Sequence, residues 1–243
     1  MEERWQLGRV SLVDMTHASA KLRKLGEGAS SMEEAAGRIV RFLFESFADA
    51  SGARSCGLVR LYKTHALGAL PQELQRFAAT AAPDAGLSPQ SRCLTLLATA
   101  GIEPAWNDRR TSSGHRAIPL ISVEALERLP MVAQLLVQLG VDVSRIVAAD
   151  PKLILDQGQR GFNVFHVEEA RKSPFIPAQD GFVVPYGIVS VLGFGGALPS
   201  GDLFALILFS RAHISRATAE LFKPLALAIK LALLPFEARV FAA

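Results

Sequence analysis

The chain has little cysteine: two residues, Cys56 and Cys93, among 243. Neither belongs to a C-x-x-C pair or stands beside a histidine at metal-ligand spacing, so the sequence gives no basis for a thiolate metal site. Both lie in apolar, strand-like stretches, where a buried reduced thiol is the ordinary reading. Charge of one sign is scarce too. The formal net charge is +3, and the basic residues form no run longer than two. A phosphate backbone is usually met by a clustered basic face, so nucleic acid is not an expected partner. Long apolar runs are also missing. The richest stretches, 203–209 and 225–234, fall short of the ~18 residues a membrane span needs, and no membrane partner is expected. The opening MEERWQLGRV lacks the apolar core of a secretory signal, which places the chain in the cytoplasm. G-x-S-x-G, Walker and H-E-x-x-H patterns are all absent.

Half of the residues are hydrophobic and a fifth are charged, a composition that folds. The first 28 residues read as an arm with a weakly signalled helix over 10–25, broken by Gly26 and Gly28. Ser31-Met-Glu-Glu34 is a capping-box pattern, and Ala35, Ala36, Ile39, Val40, Leu43 and Phe47 follow it at helical spacing. The spacing predicts a helix over 32–50. Residues 56–62 alternate as a strand, with His65 expected in a solvent-facing loop beyond it. Pro71 opens a short helix. Two further strands are expected at 93–99 and 117–121, joined through a polar loop at 103–114. Ser122 caps a helix that Pro130 interrupts and Gly140 ends. A second helix is expected within 141–161.

The last third is the most regular. Residues 187–195 and 203–210 form a hairpin about the turn 198–202. Gly193-Phe-Gly-Gly196 precedes no helix, so it marks a bulge or close packing at a strand end and not a phosphate-binding turn. Ser215 caps a helix over 216–234, which Pro224 divides and Pro235 ends. Hairpins between terminal helices predict an α+β layer fold with an antiparallel sheet.

The stretches NVFHVEEARKSPF (163–175), YGIVSVL (186–192) and LPSGDLFALILFS (198–210), with the helix after them, resemble a GAF domain. The resemblance covers about 30–236. It is strongest over 163–236, where a V-x-x-A-x-x-S-P segment leads to a Y-G-I-x-S strand start. It implies a sensory domain at 29–236 with a tail at 237–243, of the kind found upstream of PAS and histidine-kinase modules in bacterial signalling proteins. The chain carries no kinase, cyclase or receiver after the domain. That points to a stand-alone sensor with a partner, or to a fragment.

The pocket of such a domain lies between the sheet face and the connecting segments. Arg60, Tyr62, Phe162, Phe165, Tyr186 and Ser190 are its expected lining, a mix of aromatic walls and polar anchors suited to a small organic ligand or nucleotide. His166 stands in the same segment, where an imidazole could ligate haem iron or donate to a ligand. The ordinary alternative is a histidine bonded to backbone. No cofactor can be named from these residues, and no bilin-attaching cysteine matches.

Three functions follow. A sensor would bind a small molecule and signal through its terminal helices, without catalysis of its own, to a kinase or response regulator. It would be a homodimer through Ala36, Ile39, Val40, Leu43, Ala226, Ile229 and Leu233, unless those stripes pack on their own sheet. A protein-interaction scaffold would fill the pocket with Phe162, Phe165 and Phe182. A redox enzyme would need Cys56 and Cys93 with Cα atoms within about 7 Å.

Overall fold

The computed structural model describes residues 4–83, 85–112, 114–122, 125–126, 129–138 and 164–242. The expected helix within 141–161, and Phe162, lie outside them. The elements in chain order are β1 (Trp5–Gln6), α1 (Leu12–Lys24), α2 (Met32–Ser46), β2 (Phe47–Ala48), β3 (Cys56–Ala66), α3 (Gln72–Ala81), β4 (Arg92–Gly101), β5 (Ala117–Pro119), α4 (Pro130–Gln138), β6 (Val164–Val167), β7 (Ser190–Ala197), β8 (Leu203–Ser210), α5 (Arg216–Glu220) and α6 (Lys223–Leu233). Six strands form one sheet in the order β5-β4-β3-β8-β7-β6, and every neighbouring pair is antiparallel. The fold is α+β: a central antiparallel sheet with helices beside it. The two-residue strands β1 and β2 pair separately and in parallel.

Because successive strand residues point to opposite faces, β3 and β8 serve two cores at once. Val59, Leu61, Phe204, Leu206 and Leu208 enter one core, against α1, α2 and α6. Leu58, Tyr62, Ala205, Ile207 and Phe209 enter the other, against α4 and the loops. In the first core Phe222 meets Phe47 and Phe194 at ring-centroid distances of 5.6 and 5.9 Å. A β-bulge between Leu61 and Tyr62 skips Leu97 of β4. Leu97 and Ala98 therefore both face the helix side, which is how a bulge re-aims a strand. The glycine run is structural, as its position implies. A Cβ on Gly195 would stand 2.1 Å from the Phe204 carbonyl oxygen.

The segment expected as an arm supplies part of the main core. Ser11 and Asp14 form a capping box at the start of α1, and Met15, Ala18 and Leu22 are fully buried. The capping-box pattern at 31–34 is only half realised. The Ser31 hydroxyl accepts from the Glu34 N–H at 3.1 Å, while the Glu34 carboxylate accepts from Ser30 at 2.8 Å. The tail completes this helix start, with the N–H groups of Met32 and Glu33 donating to the carbonyls of Arg239 and Val240 at 2.9 and 2.8 Å. Such N–H groups have no partner within their own helix. The proposed dimer stripes are also used internally. Ala36, Ile39, Leu43, Ala226, Ile229 and Leu233 are fully buried and Val40 nearly so, so the stripes pack within the protomer. Large exposed apolar residues of α1 and α6 are instead Leu12, Val13, Leu227 and Leu231.

One end of the sheet is held by charge. Asp202, just before β8, accepts from Lys63 Nζ at 2.6 Å and from the Arg92 guanidinium. Lys63 is 3% exposed. The expectation of a solvent-facing His65 fails here, because β3 runs four residues beyond Tyr62. His65 is buried, with its ring 5.4 Å from that of Phe241. Burial first, then Lys63, pushes its pKa down to about 3. Burial alone would raise the Asp202 carboxyl, but Lys63 and Arg92 outweigh it and hold it below the usual range. Asp202→Asn leaves the buried ammonium without its counter-charge and is expected to cost about 3–5 kcal/mol in urea unfolding. A carboxylate with a lowered folded-state pKa stabilises fully above its ordinary range, and the stabilisation is lost as pH falls through the folded value. As pH falls below about 4, the native protein should therefore lose stability more steeply than Asp202→Asn.

Candidate functional site

On the face of the sheet opposite α1, α2 and α6, a cavity of about 330 Å³ opens. Its floor is Leu58, Arg60 and Tyr62 of β3 with Ile207 and Phe209 of β8. Its walls come from Trp106 and His115 of the β4–β5 connection, from residues 129–132 at the start of α4, and from Ile176–Phe182 before β7. The loop carrying Trp106 is held by Asn107, whose side-chain amide donates to the carbonyls of Gly101 and Glu103 at 3.0 and 2.9 Å. Trp106 lies directly on Gly101. A Cβ there would come within 2.9 Å of two indole-side-chain atoms, so the strand ends on glycine where the aromatic wall crosses it. The Trp106 ring meets those of Tyr186 and Phe182 at 4.6 and 5.6 Å, and Phe182 stands perpendicular to Phe209 at 5.0 Å. His115 and Leu129 also line a second, apolar groove of about 590 Å³ beside Phe77 and Ile118.

Arg60 is the polar centre of the cavity. One terminal nitrogen donates to the Ser112 hydroxyl at 2.8 Å and the other to the Tyr62 hydroxyl at 3.3 Å. Burial first, then the Arg60 charge, lowers the His115 pKa below the usual histidine value, so this ring is neutral at neutral pH.

The expected lining divides. Arg60 and Tyr62 face the cavity, and Tyr186 backs it through Trp106. Phe165 points to the same side but is fully buried in packing, and a Cβ on Gly193 would touch both its ring and Leu135. Ser190 is a structural clamp: its hydroxyl donates to the Glu168 carbonyl at 2.7 Å and accepts from the Ile214 N–H at 3.0 Å. His166 faces the other side. It pairs in register with Leu192 of the helix-side core, and its Nε2 lies 2.8 Å from the Ile214 carbonyl oxygen. The ordinary alternative for this histidine, a backbone contact, is the one the structure has. Strand parity decides it, because Phe165 takes the cavity side and its neighbour cannot. Sequence reasoning missed Trp106, Ser112 and His115. A tryptophan within an otherwise polar loop was the available signal.

The Cys56–Cys93 pair that the redox reading needs is overturned. Cys93 pairs with His65, nine residues along β3 from Cys56, a separation of about 30 Å at ~3.3 Å per residue. Burial raises both thiols, Cys93 to about 11 and Cys56 further. Among the described residues no helix is long and apolar enough to cross a membrane, and no cluster of three metal-ligating side chains occurs.

No family model and no curated protein matches the chain. Solved structures do resemble it. One is the GAF domain of a phosphoenolpyruvate-protein phosphotransferase from Coxiella burnetii, at 12% identity and TM-score 0.45, covering 94% of this chain and 96% of that one. Another is the phycoerythrobilin-bound GAF domain of a cyanobacterial phytochrome, at 12% identity and TM-score 0.39, covering 94% and 99%. A third is the N-acylhomoserine-lactone-dependent LuxR-family transcription factor CepR2 from Burkholderia cenocepacia, at 11% identity and TM-score 0.35, covering 93% and 94%. Two of the three are GAF domains.

Both thiols should stay silent toward an aromatic disulfide reagent in the native protein and react fully in denaturant. Fast reaction of either one in native buffer would contradict the burial described here.

Proposed function

We propose that this chain is a GAF-like sensory domain of a bacterial signalling system, which holds a small molecule in the β3–β8 cavity and reports its presence through α1, α2 and α6. The observation that carries the reading is an aromatic-walled cavity with few polar groups, the usual character of a small-molecule site. Its floor is built from the same two strands whose opposite faces pack on the helices. A ligand that shifts the Arg60–Tyr62 face displaces Val59 and Leu61, which pack on the helix side. To signal, it must bind two arrangements of this plate with different affinity.

The output side of the proposal is a homodimer, acting on a kinase or response regulator in the cytoplasm. Its contact is drawn from the exposed apolar residues of α1 and α6. If so, Leu227→Glu with Leu231→Glu should convert dimer to monomer in light scattering while leaving the melting temperature within a few degrees. A native protein that is already monomeric removes this part.

The scaffold reading is favoured by Phe165 and Phe182, which fill much of this face. Native mass spectrometry with an absorption spectrum, on protein purified from its own host, separates the two. The sensor reading expects a bound mass that denaturation releases. A bare polypeptide, whose melting temperature no added nucleotide, haem or aromatic acid moves, favours the scaffold.

A further inference from the structure

Arg60 is half-buried and differs from Arg109, Lys63 and Arg92. Arg109 is bound by Glu33 and Glu73, and Lys63 and Arg92 share Asp202. Among the described residues Arg60 has hydrogen bonds to the hydroxyls of Ser112 and Tyr62, which bring no charge. Among the described residues no aspartate or glutamate lines the cavity or pairs with this guanidinium. Its Nε is buried without a hydrogen-bond partner. So is the hydroxyl of Thr99, which stands directly across from Arg60 in the β3–β4 register and on the same face of the sheet. Other buried side-chain atoms are unpaired too, the Nε of Arg54 and of Arg116 among them, but neither of those arginines lines the cavity. At Arg60 and Thr99 two such atoms face one another on the cavity side of the sheet, where an absent water or ligand would pair them. A half-buried cation without a counter-charge adds its own desolvation cost.

Resting on the sensor reading of this cavity, we propose that its ligand is a small planar aromatic monocarboxylate whose carboxylate is taken by Arg60 and whose ring lies among Tyr62, Trp106 and Phe182. Three observations narrow the class. Charge comes first: among the described residues the lining carries one fixed cation, Arg60, and a neutral His115, which call for one negative charge, and a phosphate dianion would leave one unmatched. The guanidinium fork suits a carboxylate, and its terminal nitrogens each keep a hydrogen beyond the one given to a hydroxyl. Size is the third. A volume of about 330 Å³ is at the small end of ligand cavities, which run about 300–1,000 Å³, and suits one or two fused rings.

The test is calorimetric titration of the full chain with three probes of one shape: 2-naphthoate, 2-naphthamide and 2-naphthyl phosphate. The expected result is naphthoate binding at least ten-fold tighter than either of the others. Arg60→Met should abolish that preference, bringing acid and amide within about three-fold of each other, while Arg60→Lys keeps part of it. Should Arg60→Met fail to fold, the ranking of the three probes on the native protein decides alone. Equal binding of acid and amide overturns the anion inference and leaves the sensor reading standing. Tighter binding of the phosphate overturns the carboxylate class. Failure of all three overturns the inference, and if native mass spectrometry also finds no bound mass, the sensor reading falls with it.

Discussion

Everything in this fold depends on the central pair of strands, β3 and β8, being buried on both faces. An antiparallel sheet with one wet face needs only one hydrophobic set per strand. Here each strand carries two, offset by one residue, and a slip of one position would exchange them. Val59 and Leu61 would then meet loops, and Arg60 would be driven into the packed helix layer. The register is pinned at the ends as well as in the middle. Asp202 ties the far end of β3 to the starts of β4 and β8, and the bulge at Leu97 absorbs a parity change along β4. The charged cluster is therefore part of what aims Arg60 and Tyr62, although it lies on none of the cavity walls.

The helices of the opposite face inherit this order. The ends of the chain meet there: α1 packs on α6, and the tail satisfies the N-terminal N–H groups of α2. A Cβ on Gly26, just after α1, would fall 2.4 Å from the Ala232 carbonyl oxygen of α6. The approach of the two helices is set by backbone contact there, and the expected stop signal at Gly26 is at the same time a packing requirement. An assembly this closely fitted moves as a unit or not at all, since packed cores are bistable and do not deform continuously.

Much of this was legible in the residues. The hairpin of β7 and β8, the capped and proline-divided C-terminal helix and the strand at β3 follow from local pattern, because local chemistry decides them. What escaped was decided by long-range placement. The helix of 12–24 looked like a loose arm because its own apolar pattern is sparse. It is ordered by burial of Met15, Ala18 and Leu22 against distant segments and by the capping box of Ser11 and Asp14. His65 looked exposed because nothing local says that β3 continues to Ala66 or that the tail returns to cover it. His166 shows a different limit: its segment reads as irregular, and both the strand it belongs to and the side of the sheet it takes are set by pairing with β7. Trp106 belongs to a loop that composition marks as polar, and only the glycine it rests on, at the end of another strand, brings it to the site.

Charge shows the same division between structural order and function. Among the described residues the two buried cations, Lys63 and Arg109, are both neutralised by carboxylates. Arg109 spans two glutamates and stacks on Phe241, and Lys63 and Arg92 converge on one aspartate. Removing any partner from such groups leaves a charge that low-dielectric surroundings penalise. Arg60 is held in the opposite way, by two hydroxyls that fix its direction without cancelling its charge. A residue kept only for packing would gain nothing from that arrangement, since leucine or methionine would fill the same volume without the desolvation cost. On the proposed reading, orientation without neutralisation leaves the counter-charge to be supplied by a ligand, and the aromatic walls around Arg60 set that ligand's shape.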